Sequence, residues 1–290
     1  MKLVLDPYMF RRTPLNELPG LVADLGYEYI ELSPRDDFIP FFLHPRADKA
    51  TIASFKSALA GAGVKVSSLL PLYRWAGPDE DERQAAVRYW KRAIQITVDL
   101  GVSTMNTEFS GRPEKAEESE RAFYRSMEEL LPIIEREGID LLIDPHPDDF
   151  VEEGLAAIRV IRGLNSKNVG LVYVASHSFH MKDAPLDIMR AAGDKLRLVH
   201  VADTMDHHAS HGLRYITNPP GNAGRVHQHL KIGDGDVNWD EFFGGLHEIG
   251  FLDRDDTVMV SSVFAEDDNA ADVSRFQLET MKQYVQKVTV

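Results

Sequence analysis

The chain has 290 residues, 43% hydrophobic and 27% charged, with a formal net charge of −14 and a pI near 5.2. That length supports one large core, the acidic balance opposes binding to phosphate backbones, and the absence of cysteine excludes disulfides and thiolate metal sites. No apolar run reaches membrane-spanning length and no signal-peptide core precedes the first strand, so a cytoplasmic protein is expected, with neither nucleic acid nor membrane as partner.

The first strand opens near Leu3, and Thr13-Pro14-Leu15-Asn16-Glu17 reads as a capped helix start with proline at the first helical position. Glycines at positions 26, 63, 101 and 138 then recur at intervals of 37, 38 and 37 residues. Each precedes an apolar residue and a β-rich run, the punctuation of a helix that ends on a left-handed glycine and hands over to a parallel strand. Further strands are expected near Glu28, Val66, Ser103, Leu141, Val169, Leu196 and Thr257. Between them, Glu82 to Leu100 carries Trp90, Ala93, Ile94 and Thr97 on one side. Phe123, Met127, Leu130, Leu131 and Ile134 form a second helical stripe. The acidic run Asp79-Glu80-Asp81-Glu82 reads as a solvated helix start.

Eight strand–helix units describe a single (β/α)8 TIM barrel over residues 1–290, with its active site at the C-terminal ends of the strands. The rhythm fails once, between strands seven and eight. There the segment 204–238 forms an insertion expected to act as a lid or an interface.

Polar residues cluster at the strand ends. Strand four closes on Asn106-Thr107-Glu108, strand five on Asp144-Pro145-His146, and strand seven on His200-Val201-Ala202-Asp203. Ser176-His177-Ser178-Phe179-His180 follows strand six, and the insertion adds His227 and His229. Neutral imidazoles with carboxylates suit Zn2+, Mn2+ or Fe2+. Any one of these histidines also has an ordinary reading as a hydrogen-bonded structural residue. His207, His208 and His211 read as loop surface. Tyr73-Arg74-Trp75, after strand three, fits either stacking on a sugar or aromatic ring or simple loop packing.

With those residues in view, the chain resembles the xylose-isomerase-like superfamily of sugar isomerases and epimerases. The resemblance rests on Gly26-Tyr27-Glu28-Tyr29-Ile30-Glu31-Leu32, on Val199-His200-Val201-Ala202-Asp203, on Ile232-Gly233-Asp234-Gly235-Asp236-Val237-Asn238-Trp239 and on the end of strand eight. It implies one divalent metal, with Mn2+ favoured and Mg2+, Zn2+ or Fe2+ as alternatives, held by Glu, Asp, His and Glu from strands five to eight, and no organic cofactor. Those four positions fall here on Asp144, Val174, His200 and Ser262. Val174 cannot ligate, so His177 and then His229 become the substitute ligands beside Asp144 and His200.

A narrower resemblance covers Asp6-Pro7-Tyr8, Pro71-Leu72-Tyr73-Arg74-Trp75, the stretch Pro78 to Ile94, Asn106-Thr107-Glu108-Phe109, Pro145-His146-Pro147-Asp148-Asp149-Phe150 and Gly212-Leu213-Arg214-Tyr215-Ile216. These stretches are similar to the larger subunits of bacterial C-glycoside deglycosidases, which pair with a small β-sandwich subunit and cleave a carbon–carbon bond in an oxidised glycoside. The resemblance implies an oligomeric assembly and a sugar or glycoside substrate. The shared chemistry is proton abstraction beside a carbonyl. His146 is the expected base and Glu108 its catalytic companion. Tyr73, Trp75, Asp203 and Arg214 are expected at the substrate, the last alternatively at a partner or on plain surface.

The leading functional expectation is thus a lyase that eliminates the C1 substituent of a 3-oxo sugar. The alternatives are a metal-dependent sugar isomerase or epimerase acting through an enediolate, and a barrel that has lost its chemistry and serves as scaffold or ligand binder. A base-excision endonuclease shares the fold but needs a basic DNA-facing rim that the composition does not supply.

Overall fold

Helix ends set the rhythm of the chain. Gly63 caps its helix at φ 69° and Gly101 at φ 77°, left-handed values that a side chain would oppose. In each case the next few residues enter a strand. The computed structural model describes residues 1–182, 184–208, 215–216, 226–264 and 268–290, with 215–216 and 226–227 described by backbone alone.

The strands are β1 (Lys2–Leu5), β2 (Tyr29–Leu32), β3 (Lys65–Leu69), β4 (Thr104–Glu108), β5 (Asp140–Asp144), β6 (Val169–Val174), β7 (Leu196–Val201), a short antiparallel pair β8 (Tyr215–Ile216) and β9 (Val226–His227), and β10 (Val258–Ser261). Eight of them close a parallel barrel in the order β1-β10-β7-β6-β5-β4-β3-β2. The helices are α1 (Leu18–Asp24), α2 (Lys49–Ala62), α3 (Glu80–Leu100), α4 (Ala116–Arg136), α5 (Gly154–Gly163), α6 (Ala175–His180), α7 (Pro185–Ala192), α8 (Trp239–Glu248) and α9 (Ala270–Thr289). The fold is the expected TIM barrel, with β8 and β9 inside the insertion between β7 and β10. No helix among the described residues is long and apolar enough to cross a membrane.

The first helix starts later than its sequence indicates. Pro14 opens a turn, with its carbonyl accepting from Glu17 and Leu18, and α1 begins only at Leu18 with Pro19 in its first turn. The acidic run does begin a helix: Asp79 caps α3 by accepting from the Glu82 amide at 2.9 Å.

The barrel interior is apolar at its lower levels, where Val4, Leu142, Val172, Val174, Leu198, Val258 and Val260 pack together. Strand side chains alternate between faces, so two residues further along the same inward face stand Asp6, Asp144, His200 and Ser262. Glu108 is the register partner of Asp144, and Val174 that of His200. The interior therefore turns polar at its C-terminal mouth, except on β6, where Val174 stays in the apolar cluster.

Outside the barrel, the loop after β3 folds back rather than opening to the mouth. Trp75 is fully buried and stacks on Trp90 at 4.5 Å and 19°, with Phe123 at its edge. Its Nε1 donates to the Phe109 carbonyl at 3.0 Å, and Ser126 Oγ donates to the Trp75 carbonyl at 2.7 Å. Tyr73 meets the edges of Trp90 and Tyr89 and is 1% exposed. Neither ring is available to stack on a sugar, so of the two readings of this loop the packing one is correct. The α3 residues Tyr89 and Trp90 occupy the ring faces and edges that a substrate would need.

Candidate active site

The loops after β4 and β5 are tied together. Ser110, at φ 60°, donates its amide to Asp149 Oδ2 at 2.6 Å, and the Phe150 amide donates back to the Ser110 carbonyl at 3.1 Å. The Asp149 amide closes a turn on the His146 carbonyl at 3.1 Å. This cross-bracing sets Glu108 and His146 side by side, His146 Nε2 lying 3.6 Å from Glu108 Oε2. Both keep some exposure at the mouth, 22% for the His146 side chain and 15% for Glu108. One ligand-capable atom from each of Glu108, His146 and Asp149 lies within 4.8 Å of the others, so this group could hold a metal ion. Asp149 itself is buried. Burial, and then the Glu108 charge, push its pKa well above the usual carboxylate range, against the Ser110 amide that lowers it.

Next to this group runs a buried line of polar groups. Helix α6 starts directly after β6 and puts His177 in its first turn, where His177 Nδ1 lies 3.0 Å from Asp144 Oδ2. Its ring is 4.7 Å from that of His146. Asp144 is pushed well above its ordinary pKa by burial and by Glu108, and its Oδ1 is buried without a hydrogen-bond partner. His177 Nε2 faces His229 Nε2 at 3.3 Å. His229 comes from the insertion, stacks on Phe264 at 4.4 Å, and donates Nδ1–H to the Ser262 carbonyl at 2.6 Å. Burial pulls its pKa down to about 3, opposed by the Ser262 carbonyl and helped by the neighbouring histidines His200, His146 and His180.

His200 has a different partner. Its Nε2 makes an ion-pair contact with Glu31 Oε1 at 2.9 Å, and Asn106 Nδ2 approaches the same nitrogen at 3.5 Å. Glu31 Oε2 accepts from Ser68 Oγ at 2.8 Å. Burial works against an imidazolium here, but the facing Glu31 and Asp6 outweigh it and raise the His200 pKa. Asp6 is raised to about 7 by burial and by Glu31. Sequence reasoning misses Asp6 and Glu31 as site residues, although their position on the inward parity of β1 and β2 marks them.

The expected residues are thus distributed unevenly. Glu108, Asp144, His146, His177 and His229 come together, with His200 nearby but engaged by Glu31. Asp203 is not a substrate residue. It is fully buried, and its two oxygens accept from the amides of Thr204 (2.9 Å), Gly233 (2.8 Å) and Val237 (3.1 Å) and from Trp239 Nε1 (2.9 Å). A Cβ at Gly235 would collide with Asp203 and with the Thr204 backbone, which is why the Gly-Asp-Gly-Asp stretch carries glycine there. Arg214 and His211 lie outside the described residues, and the side chain of His227 is not among those described. His180 Nε2 instead pairs with Thr204 Oγ1 at 3.0 Å. His207 and His208 border Asp206 on the insertion.

The four-ligand metal set implied by the resemblance does not fit these residues. Val174 lies in the apolar interior, His200 Nε2 faces Glu31, and the Ser262 carbonyl and hydroxyl face His229 Nδ1.

Residues 19–284 match the family model for the xylose isomerase-like TIM barrel. An inosose isomerase from Bacillus licheniformis is 24% identical over 232 residues, covering 79% of this chain and 77% of that protein. A crystal structure of the IolI protein with a bound zinc atom superposes with a TM-score of 0.74 at 21% identity, covering 99% of each chain. The 3-keto-D-glucoside 4-epimerase of E. coli gives 0.74 at 16% identity, covering 98% of this chain and 99% of the other. Of these three, one is an isomerase and one an epimerase by name, and none is named as a C-glycoside deglycosidase.

Proposed function

The chain belongs to the xylose isomerase-like TIM-barrel family, and from that premise we propose that it is a sugar-transforming enzyme of isomerase or epimerase type. The reading rests on Glu108, His146 and Asp149, whose reactive atoms lie within 4.8 Å of one another at the barrel mouth. His146 is the base that takes a proton from the carbon beside a sugar carbonyl, and Glu108 faces the imidazolium that forms. Asp149 is the acid. A buried carboxyl kept protonated donates a hydrogen bond to the oxygen on which negative charge grows. Return of that proton to the former carbonyl carbon, with the hydroxyl proton passing between the two oxygens, gives isomerisation; a proton delivered to the opposite face of the original carbon by a group other than His146 gives epimerisation.

The name of the 3-keto-D-glucoside 4-epimerase favours oxidised sugars as a substrate class. On a 3-oxo glycoside the same abstraction would expel a C1 substituent by β-elimination, which is the second reading. A small β-sandwich partner and an oligomeric state rest on the narrower sequence resemblance alone. The segment 204–238 is proposed as a lid or interface, anchored by the antiparallel bridge between Asp203 and Leu230.

The test is incubation in D2O with an inosose, a ketohexose and a 3-oxo-glucoside, followed by NMR. Deuterium at the carbon next to the carbonyl supports the reading. Free aglycone from a 3-oxo-C-glucoside would favour the lyase. No exchange in any substrate would leave the scaffold as the better description.

A further inference from the structure

We propose that this chain has moved its divalent-cation seat from the four strand-end positions of its family to His177 and His229, whose Nε2 atoms converge at 3.3 Å. The direction of the hydrogen bonds carries the proposal. A carbonyl oxygen only accepts, so His229 Nδ1 must be the protonated nitrogen in its 2.6 Å contact with Ser262, and a neutral His229 turns its Nε2 lone pair toward His177. With Asp144 ionised, as a neighbouring cation would keep it, His177 Nδ1–H donates to the carboxylate, which turns a second lone pair toward the first. Two imidazole lone pairs at that distance repel unless a proton or a metal cation lies between them.

The supporting partners are those that metal-binding histidines ordinarily have. A ligating imidazole donates its other N–H to a carboxylate or a backbone carbonyl, which fixes its tautomer and ring orientation. Here one histidine has each kind. Two nitrogens on one tetrahedral Zn2+ lie about 3.3 Å apart, given Zn–N bonds of about 2.0–2.1 Å. Asp144 adds a second observation: its Oδ1 is buried and unpartnered, and the residue is only 8% exposed.

The losses and the gains coincide in place. Where the family's carboxylate on the last strand would stand, Ser262 holds His229. Three residues after the apolar Val174, His177 reaches the same space from α6. Imidazole in place of carboxylate shifts the preference toward Zn2+ or Co2+ and away from Mn2+ and Mg2+. Mn2+ is therefore not the favoured ion for this seat.

The seat is measured with no sugar present, so its failure would leave the proton-transfer reading standing. The chain, dialysed against chelator, is titrated with Zn2+ by calorimetry and with Co2+ by visible absorption. One ion per chain is expected. His229→Gln and His177→Gln are expected to weaken binding at least 100-fold, and Asp144→Asn by about 10–100-fold. His200→Asn and Asp149→Asn are expected to stay within about threefold. Thermal unfolding of each variant shows that it is folded, and Asp144→Asn carries the test if a histidine variant is not. Absence of a stoichiometric ion overturns the proposal. So does binding that survives His229→Gln but is lost in His200→Asn or Asp149→Asn.

Discussion

His177 and His229 stand Nε2 to Nε2 at 3.3 Å although 52 residues separate them. One rises from the short helix after β6, and the other returns from the insertion after β7. Neither position is a metal ligand in the family pattern, yet each ring is oriented from behind, by Asp144 and by the Ser262 carbonyl.

Asp203 is predicted to be a stability residue. Each of its oxygens accepts two N–H groups. Asp203→Asn sets an NH2 against two of these donors and is expected to cost about 3 kcal/mol or more, since hydrogen bonds to a charged group are worth about 1.5–3 kcal/mol each. Urea unfolding measures it. A change below about 1 kcal/mol would contradict the role.

Tyr73 and Trp75 are predicted to behave as core. Trp75→Ala is expected to destabilise by about 3–5 kcal/mol. The Tyr73 hydroxyl is buried with no hydrogen-bond partner, so Tyr73→Phe is expected to be neutral or stabilising and to leave KM for any sugar substrate unchanged. A raised KM in Tyr73→Phe would return that ring to the substrate.

Asp6 predicts a pH signature in stability. Its folded pKa is raised to about 7 by burial and by Glu31, so folding favours the protonated form. That contribution is fully present below the unfolded value of about 3.9 and is lost as pH rises through about 7, with a slope of about 1.4 kcal/mol per pH unit between the two values. Asp6→Asn removes the dependence. The melting temperature of the variant relative to the natural chain is expected to rise between pH 5 and pH 8, and a constant difference would contradict the assignment.

The barrel is legible in the sequence because its punctuation is local. Gly63 and Gly101 cap helices through a backbone conformation that glycine alone adopts easily, and each expected strand start falls within one residue of the observed one. The mouth is legible through His146, Asp144 and Glu108, which stand at or just after strand ends. What escapes depends on long-range partners. Asp203 looks like any strand-end carboxylate until Gly233, Val237 and Trp239 fold over it. Tyr73 and Trp75 look exposed until Trp90 on the next helix takes them. His200 matches the family's ligand pattern, but Glu31, from a strand far earlier in the chain, faces the nitrogen that would bind the ion.

His146→Gln, followed by deuterium incorporation from D2O into the accepted sugar, tests the proposed chemistry most directly. A fall in kcat of about 10²–10⁴ with KM little changed is predicted, the range expected for losing a positioned base. Exchange at the natural rate in the folded variant would contradict the assignment of the base.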